Sequence, residues 1–375
     1  MARVGILTFH YSINYGAVLQ AAALFHVLRD LGHHPEVIDY VNLDSRRTAV
    51  SKPRRVAHYL WRDLIGRLLM GDLRSTRTDN FRREVLSLST RSYRFSSELL
   101  SSPPLYDTYV VGSDQVWNLE HTRGNTTYLL DFVPDGRRRI SYAASLGLDR
   151  PRKEHLEILA SRIGAFDALS VREESAVDLV EQLCGVRPEQ VLDPTLLLTR
   201  EQWKAYGAPG QERGHYLLAY HMPGDRQIDG TMSAMCRDLA ARTGLPVIHL
   251  GQDHTRALHF GEDNRFDAGP SEFLALFEGA SGVVTNSFHG TAFAITMETP
   301  FVSVYRTPGA SRTARSGRQI SLLALAGLEA RGVDVFDTTG RAERLVRDFD
   351  MDFGGARVRL SQARAKSLDF LSRAI

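Results

Sequence analysis

The stretch Val4–Tyr40, VGILTFHYSINYGAVLQAAALFHVLRDLGHHPEVIDY, decides the fold class. It opens with an apolar strand candidate, Val4–Phe9, and continues into Ala17–Asp30, where apolar residues recur with a helical period. A second strand candidate, Glu36–Tyr40, ends it. A strand, a helix and a strand in this order predict a parallel sheet with helices on its faces. The sequence therefore predicts an α/β fold.

The same alternation continues along most of the chain. Further strands are predicted at Thr108–Val111, Arg139–Ala143, Ala168–Val171, Gln190–Leu192, Tyr216–Tyr220, Pro246–Leu250, Gly282–Thr285 and Pro300–Tyr305. Further helices are predicted at Glu173–Leu183, Met232–Thr243, Ser271–Gly279, Thr291–Thr299 and Leu360–Ile375. The stretch 199–214 contains Pro209, Gly210 and Gly214 and is the best linker candidate. We expect two α/β domains, 1–198 and 215–353, with a cleft between them and a C-terminal helical segment, 354–375.

Composition places the chain among ordinary globular proteins. It has 375 residues, 43% of them hydrophobic and 24% charged, which excludes a disordered, collagenous or coiled-coil chain. At roughly 150 residues per domain, this length fits two domains. The 46 basic and 44 acidic residues give a net charge of +2, which offers no argument for nucleic-acid binding.

Other sequence features bear on location and metal binding. No uninterrupted apolar stretch approaches the roughly 18 residues of a membrane span, and Met1–Phe9 is typical of a strand rather than a signal peptide. Cys184 and Cys236 lack zinc-ligand spacing, so we expect a cytoplasmic protein without a disulfide framework or bound metal. The pair of aspartates in Asp350–Asp352 resembles a metal motif but is interpreted as a loop.

A basic insert occupies about residues 46–95. Between Arg46 and Arg94 there are 13 basic and 4 acidic residues, an excess of nine, interleaved with apolar side chains. One interpretation is an amphipathic element that binds an anionic membrane surface or a phosphorylated lipid carrier, with the protein peripheral at the inner face of the membrane. The interpretation that we favour is a solvated helical insert whose apolar face packs on the core.

Four polar turns follow predicted strands. Ligands of doubly wound sheets bind at such carboxyl ends, where helix N-termini begin. In the first turn, 10–16, Gly16 lets the backbone approach a ligand, and the N–H groups of the next helix favour an anion or a sugar hydroxyl. The alternative is a plain turn in which Asn14 caps the helix.

The second turn, 111–118, combines Ser113, Asp114 and Gln115 with Trp117. Asp114 is a candidate acceptor for the proton of a sugar hydroxyl, and Trp117 for stacking on a sugar face. The alternative is a capping aspartate beside a core tryptophan.

The third turn, 170–175, places Arg172 between a buried strand and a helix N-terminus, where the helix dipole disfavours a cation. A guanidinium fits there if an anion lies between it and the helix. The alternative is a surface arginine paired with Glu173 or Glu174.

In the fourth turn, 283–291, His289 follows an apolar strand and can act as an acid or base near neutral pH. A structural histidine, with Thr291 capping the helix, is the alternative.

The sequence contains no dinucleotide fingerprint, phosphate-loop lysine motif or His-Glu-x-x-His motif. It does contain an ordered series of motifs: Tyr11–Gln20 (YSINYGAVLQ), Val110–Asn118 (VVGSDQVWN), Ser141–Gly147 (SYAASLG), Ser170–Ser175 (SVREES) and Asn286–Thr291 (NSFHGT). Taken together, these five segments resemble the polysaccharide pyruvyl transferase family. The resemblance covers most of the chain apart from the basic insert, and 193–194 and 318–323 add to it.

The resemblance implies two Rossmann-like domains in a GT-B-like arrangement with the active site between them. It implies transfer of a pyruvyl group from phosphoenolpyruvate onto sugar hydroxyls of a polysaccharide or lipid-linked glycan precursor. The products are a pyruvate ketal and phosphate, and no cofactor is expected. By this resemblance Arg172 holds the donor and His289 is the catalytic residue of the second domain. We expect these two side chains to meet on one donor molecule.

The remaining candidate residues follow from the same turns. Asp114 is the candidate base for the sugar. Some family members have a basic residue two positions before the histidine, where this chain has Ser287, so another cation is needed: Arg306, Arg312, Arg315 or, preferably, Arg318. Candidate substrate-binding residues are Asn14, Tyr15, Gly16, Ser113, Gln115, Ser145, Asn286, Ser287, Phe288, Gly290, Thr291 and Arg318.

Two other functions stay open on the sequence. A GT-B glycosyltransferase that uses a nucleotide-sugar donor would share the architecture. A sugar-binding protein without catalytic activity would share the acceptor site but release no phosphate.

Overall fold

The computed structural model describes residues 1–44, 73–147, 151–209, 215–222, 225–251, 263–307 and 316–375. The chain divides into two compact units. Unit 1 comprises Met1–Leu197 and Lys366–Ile375, and unit 2 comprises Leu198–Ala365. Thus the last ten residues are counted with unit 1, and the predicted linker 199–214 falls in unit 2.

Unit 1 is built on a parallel sheet. Its strands are β1 Arg3–Leu7, β2 His34–Val37, β3 Thr108–Val111 and β4 Arg138–Ser141, followed by the short pair β5 Ser170–Val171 and β6 Glu189–Gln190. The sheet order is β2-β1-β3-β4, and parallel bridges from Ile140 to Ala168 and from Ala144 to Val171 bring β5 beside β4. All four residues of β3 are buried, as expected of a central strand covered by helices on both faces.

The helices of unit 1 cover this sheet. They are α1 Tyr15–Asp30, α2 Leu73–Val85, α3 Ser96–Ser101, α4 Lys153–Ile163 and α5 Glu174–Cys184, with short 3-10 turns at Thr127–Leu129 and Pro194–Leu196. Nearly all of α1 is buried, because it packs on the sheet and also contacts the 3-10 turn at Pro194–Leu196.

Unit 2 is a second parallel α/β layer structure. Its strands are β7 Leu217–His221, β8 Val247–Gly251, β9 Asp263–Asn264, β10 Gly282–Thr285, β11 Phe301–Tyr305 and β12 Gly332–Asp334, in the order β12-β11-β10-β7-β8-β9. Its helices are α6 Arg200–Lys204, α7 Arg226–Thr243, α8 Pro270–Gly279, α9 Phe288–Thr296, α10 Gly317–Ala326 and α11 Arg341–Arg347, with a 3-10 turn at Glu329–Arg331. The last helix, α12 Gly354–Ala374, begins in this unit.

Several predicted bounds are wrong for identifiable reasons. Helix α9 begins at Phe288 rather than at Thr291, because Ser287 is the N-cap and accepts a hydrogen bond from the Gly290 N–H. Helix α7 begins six residues before the predicted start, because Asp225 caps it. Pro300–Tyr305 is not the last strand, since β12 pairs with β11 beyond it.

The predicted linker and the basic insert also differ from a simple loop and a simple helix. The stretch 199–214 begins with α6, which Thr199 and Gln202 stabilise through a capping box. Residues 46–72 of the insert lie outside the described residues. The rest contains α2, whose Phe81 is buried. Most apolar side chains of the insert lie within the residues that are not described, so both interpretations of the insert stay predictions. Within the described ranges no helix is both long enough and apolar enough to cross a membrane.

Candidate active site

In unit 1, the turn after β3 is fixed by its backbone. Gly112 has φ +122°, and a Cβ there would collide with the carbonyl oxygen of Tyr142. The Ser113 N–H donates to Gln20 Oε1 of α1 at 3.0 Å. The Ser113 hydroxyl lies 3.0 Å from the Ala143 carbonyl oxygen and 3.1 Å from Asp193 Oδ2. Ser113 is therefore a buried hub between strand ends.

Arg172, directly after β5, is buried and paired. Its Nη1 donates to Asp193 Oδ2 at 2.6 Å, and its Nε donates to Glu173 Oε1 at 3.4 Å. The Arg172 and Asp193 side chains are 3% and 0% exposed. Asp193 Oδ1 accepts from the N–H and the hydroxyl of Thr195 at 3.0 and 2.8 Å. The alternative of a surface arginine is thus wrong about its exposure, although the pairing with Glu173 is present.

Electrostatics keep this guanidinium charged. Burial favours its neutral form, but the charges of Glu173, Asp193 and Asp114 outweigh burial and hold the pKa of Arg172 above its usual value. One cation among three carboxylates gives the cluster a net charge of −2 when all are ionised. A phosphorylated donor at this cluster would therefore need further positive groups.

Ser145 joins this cluster from the turn after β4. Its hydroxyl donates to Glu173 Oε1. Its N–H donates to the Asp114 carbonyl oxygen at 3.0 Å, and this backbone bond connects the turns that follow β3 and β4. Asp114 and Ser145 therefore hold each other in place, whatever either of them binds.

Asp114 is exposed enough to meet a ligand. It is half-buried and has φ +68°, so it lies in the left-handed region rather than at a helix cap. Gln115 beside it accepts from Asn118 Nδ2 at 2.9 Å. The predicted site residues that the structure brings together here are Ser113, Asp114, Ser145 and Arg172, with Gln115 in the adjoining turn.

In the first turn, 10–16, the candidate residues cap helix α1 or are buried. Asn14 caps α1 by accepting from the Ala17 N–H at 3.3 Å, so the capping alternative is confirmed. Tyr15 is fully buried, and the Arg74 guanidinium lies 4.3 Å from the centre of its ring. Gly16 is buried in the first turn of α1. Burial weighs against direct substrate contact by the Tyr15 side chain, and its role as a binding residue stays a prediction.

Trp117 is too deeply buried to stack on a sugar. It is buried in the core of unit 1, its Nε1–H donates to the Tyr128 carbonyl oxygen at 3.3 Å, and its ring contacts Phe166 edge-on. The alternative of a core tryptophan is confirmed.

In unit 2, the turn between β10 and α9 carries His289. The His289 side chain lies in the first helical turn, is 7% exposed and contacts the ring of Phe288 edge-on at 5.1 Å. Gly290 has no room for a Cβ, which would collide with Thr285 Oγ1. Phe288 is also buried. The turn after β10 therefore places the His289 imidazole at the carboxyl end of the sheet, where ligands of such folds bind.

Asn286 ties this turn to the loop after β7. Its Oδ1 accepts from the Met222 N–H, and its Nδ2 donates to the Met222 carbonyl oxygen, both at 2.7 Å. Because both ends of the amide bind backbone, the clearest role of Asn286 is to position the turn. Substrate contact by Asn286 stays a prediction.

A buried chain of hydrogen bonds links the starts of α9 and α10. Gln319 Nε2 donates to Ser303 Oγ at 3.0 Å, Ser303 Oγ lies 2.8 Å from Thr291 Oγ1, and Thr291 Oγ1 donates to the Ser287 carbonyl oxygen at 3.0 Å. Thr291 thus reinforces the helix start rather than capping it. The chain anchors the helical turn that carries Arg318 beside the one that carries His289.

The other candidate cations are less suited to a donor site. Arg306 lies 2.7 Å from Asp225 Oδ2 and stacks over Phe336, so it is already bound to a carboxylate. Arg312 and Arg315 lie outside the described residues. Arg318 is half-buried in the first turn of α10 and remains the preferred candidate.

Sequence reasoning missed two histidine–aspartate pairs near the carboxyl ends of strands. In unit 1, His10 Nε2 lies 3.0 Å from Asp39 Oδ1, and this hydrogen bond lowers the pKa of Asp39. In unit 2, His221 Nε2 lies 2.7 Å from Asp229 Oδ1, and the His221 ring centre is 6.0 Å from that of His249. The signal available in the sequence is a histidine directly after a predicted apolar strand, as His10 follows Val4–Phe9 and His221 follows Tyr216–Tyr220.

His249 is held neutral near physiological pH. It is buried, and its Nδ1 lies 3.0 Å from Asn264 Oδ1. Burial lowers its pKa to about 4; the Asn264 contact opposes this change and the nearby His221 adds to it. Among the described residues, no group of three or more His, Cys, Asp or Glu side chains could hold a metal ion.

Comparison with known proteins identifies the family. A sequence model of the polysaccharide pyruvyl transferase family matches residues 14–308, which include both Arg172 and His289. The chain belongs to the polysaccharide pyruvyl transferase family. The resemblance seen in its sequence motifs is thereby confirmed, and membership makes it a transferase by family. No curated protein is significantly similar to this pyruvyl transferase family member.

Solved structures support the fold of this family member. The UDP-GlcNAc 2-epimerase of Methanocaldococcus jannaschii, solved with UDP-GlcNAc and UDP, is similar with a TM-score of 0.50 and 11% identity, over 95% of this chain and 97% of that chain. The MnaA protein of S. aureus, solved with UDP, is similar with a TM-score of 0.53 and 10% identity, over 98% of this chain and 91% of that chain. At such identities the likeness shows the fold alone, and it confirms two Rossmann-like units.

Proposed function

We propose that this protein transfers a pyruvyl group from phosphoenolpyruvate onto two hydroxyls of a sugar, forming a pyruvate ketal and releasing phosphate. The observation that carries the proposal is the family match across both units, together with His289 at the carboxyl end of β10. The acceptor is a sugar of a polysaccharide or of a lipid-linked glycan precursor. Contact of the insert 46–95 with a membrane stays a prediction.

The chemistry needs one proton donor and a polarised carbon. A proton adds to the C3 methylene of phosphoenolpyruvate, and C2 becomes electron-poor. The oxygen of one sugar hydroxyl adds to C2, and the C2–O bond to phosphate breaks with its electron pair leaving on the phosphate. A second hydroxyl adds to C2 and closes the ring. Of the two protons that the hydroxyls lose, one balances the proton on C3 and the other leaves with phosphate.

His289 is the proposed acid in this sequence. It protonates C3 or assists the departing phosphate, and general acid catalysis of this kind contributes roughly 10²–10⁴-fold. The first turn of α9 also offers backbone N–H groups and the positive end of the helix dipole, which favour an anionic donor. Arg318, anchored through Gln319 and Ser303, supplies positive charge on the same side of unit 2.

Arg172 and Asp114 complete the proposed machinery. The buried carboxylates keep Arg172 charged, as binding of a carboxylate or phosphate requires. Asp114 is half-buried and is the proposed base for the sugar hydroxyl. The cluster around Arg172 is net negative. Most of the positive charge that offsets the phosphate of the donor therefore comes from unit 2, at Arg318 and the N-terminus of α9.

A nucleotide-sugar-dependent glycosyltransferase is the second candidate. It would share the fold, and two proteins of that fold were solved with UDP or UDP-GlcNAc. A sugar-binding protein without activity would bind glycosides but turn over neither donor.

One experiment separates these functions. The protein is incubated with phosphoenolpyruvate and a panel of synthetic and lipid-linked glycosides, and phosphate release and product mass are measured together. We expect one phosphate for each pyruvyl group added. In parallel, thermal shifts are recorded with phosphoenolpyruvate and with nucleotide sugars. Stabilisation and turnover by a nucleotide sugar alone would contradict the proposal.

A further inference from the structure

Unit 2 contains a cavity at the end of α9 that is remote from His289. Its volume is about 300 Å³, and it is lined by residues of α6, of the C-terminal part of α9 and of α12. Helix α9 has 9 residues, so its two ends lie roughly 13 Å apart at 1.5 Å per residue. The cavity is therefore separate from the candidate active site. Its volume matches the lower end of small-molecule sites, about 300–1,000 Å³.

The floor of the cavity is apolar. Ile295 of α9 lines it. Phe353, Ala356 and Leu360 also line it and follow one another at spacings of three and four residues, which places them on one face of the chain entering α12. All four side chains are buried. Such a floor fits the apolar body of a ligand rather than a hydrated ion.

The rim of the cavity carries more positive than negative charge. Arg200, Arg357 and Arg364 line it, against the carboxylates of Glu201 and Glu298. Both carboxylates have basic partners. Glu298 accepts two hydrogen bonds from the Arg357 guanidinium, at 2.8 and 2.9 Å, and Glu201 accepts one from Lys204 Nζ at 3.1 Å.

The Arg200 side chain provides the strongest indication that the cavity binds a ligand. Its Nε is buried, and within the described part of the chain it has no hydrogen-bond partner. A buried donor without an acceptor costs free energy, and an anionic acceptor would relieve that cost most effectively. Arg364 lines the same cavity, and burial lowers its pKa, so its charged form would also gain from a nearby anion.

We propose that this cavity binds a small amphiphilic anion, with a phosphate or carboxylate head at Arg200 and Arg364 and an apolar body on Ile295, Phe353 and Leu360. The head group satisfies Arg200 Nε, and the apolar body removes the floor from water. This proposal does not depend on the identity of the sugar donor, since the cavity lies apart from His289.

Titration calorimetry on the full chain tests the proposal. The probes are geranyl phosphate and octanoate, with inorganic phosphate and geraniol as the head and the body alone. We expect one or both amphiphiles to bind, and each of them more tightly than its separate parts. The tighter of the two probes identifies the head group as phosphate or carboxylate.

Variants assign the binding to this cavity. Arg200→Gln keeps the side-chain length and polarity but removes the charge, and we expect it to weaken binding about tenfold or more. Arg364→Gln provides a second, independent measurement of the same effect. Arg347→Gln, an exposed arginine of α11, is the matched control and should bind as the wild type does. The proposal is overturned if neither amphiphile binds, if inorganic phosphate or geraniol binds as tightly as the amphiphiles, or if Arg200→Gln and Arg364→Gln bind them unchanged.

Discussion

Arg172 Nη1 lies 2.6 Å from Asp193 Oδ2, and both side chains are buried in unit 1. The arginine follows β5, while the aspartate precedes a 3-10 turn and is held in turn by Ser113 and Thr195. The orientation of the guanidinium thus depends on residues from several separate segments. A charge pair of this kind fixes geometry even where its net contribution to stability is small.

Removal of the Asp193 charge should destabilise unit 1 and disturb Arg172. Asp193→Asn replaces the charge-assisted hydrogen bond from Arg172 with a neutral one, while Glu173 and Asp114 still offset the guanidinium charge, and a hydrogen bond to a charged group contributes about 1.5–3 kcal/mol. We expect a loss of that order in the free energy of unfolding measured in urea. Phosphate release should fall as well, because Arg172 is held less firmly.

The control for this variant is an exposed pair. Asp369→Asn removes one of the two carboxylates that pair with Arg373 at the surface of α12, the other being Glu189, and such exposed pairs contribute about 0–1 kcal/mol. If Asp193→Asn were no more destabilising than Asp369→Asn, the buried pair would not have the structural role assigned to it.

Loss of the His289 imidazole should remove activity and spare the fold. His289→Ala is expected to reduce phosphate release from phosphoenolpyruvate and acceptor by roughly 10²–10⁴-fold. His26→Ala, on α1 of unit 1, serves as the control and should turn over normally. Near-normal turnover by a correctly folded His289→Ala protein, judged by circular dichroism, would refute the catalytic role.

Asn286 should affect turnover by positioning the turn that carries His289 rather than by binding the substrate. Asn286→Asp keeps the shape but places a carboxylate beside the Met222 carbonyl oxygen and removes the donated hydrogen bond. We expect kcat to fall about tenfold, the equivalent of ~1.4 kcal/mol, with little change in KM. A rise in KM at unchanged kcat would instead indicate that Asn286 contacts the substrate.

Much of the fold is predictable from the sequence, since it depends on local patterns. The bounds of β3 and β10 match the prediction, because short apolar runs between turn signals define buried parallel strands. The start of α9 was missed because Ser287 and Thr291 are both acceptable caps in sequence, and only the backbone of the turn selects Ser287.

The candidate site was predictable in part. Polar residues after apolar strands mark the turns that carry Arg172 and His289 as candidates, and the structure confirms that both turns follow strands. The pairing of Arg172 with Asp193 is not predictable in this way, since Asp193 lies 21 residues further along the chain and pairing at that separation depends on the folded sheet. His221 ends the apolar strand β7 and is not singled out by the sequence, because a single histidine is also common in cores.

The free energy of unfolding should decrease as the pH is lowered through the range in which His249 titrates. Its pKa is about 4 in the folded chain and about 6.5 when unfolded, so between these values the unfolded state binds more protons. Stability should therefore decrease as pH falls through this range, by roughly 3 kcal/mol in total. Urea unfolding of the wild type and of His249→Gln at pH 7, 5.5 and 4.5 checks this.

The difference in free energy of unfolding between the wild type and His249→Gln gives the contribution of His249 apart from other groups that titrate in the same pH range. The His249→Gln protein should lose less stability than the wild type between pH 7 and pH 4.5. Parallel pH profiles for the two proteins would show that His249 is not held neutral in the folded chain.

The central claim is that Arg172 and His289 act on one phosphoenolpyruvate molecule. The most direct test is kcat/KM for phosphate release by the wild type, Arg172→Lys, His289→Gln and the double variant. Groups that act together on one substrate are strongly non-additive, so the double variant should lose little more than the worse single variant. If the two losses multiplied, or if Arg172→Lys had no effect, the two residues would not share a donor and the claim would be contradicted.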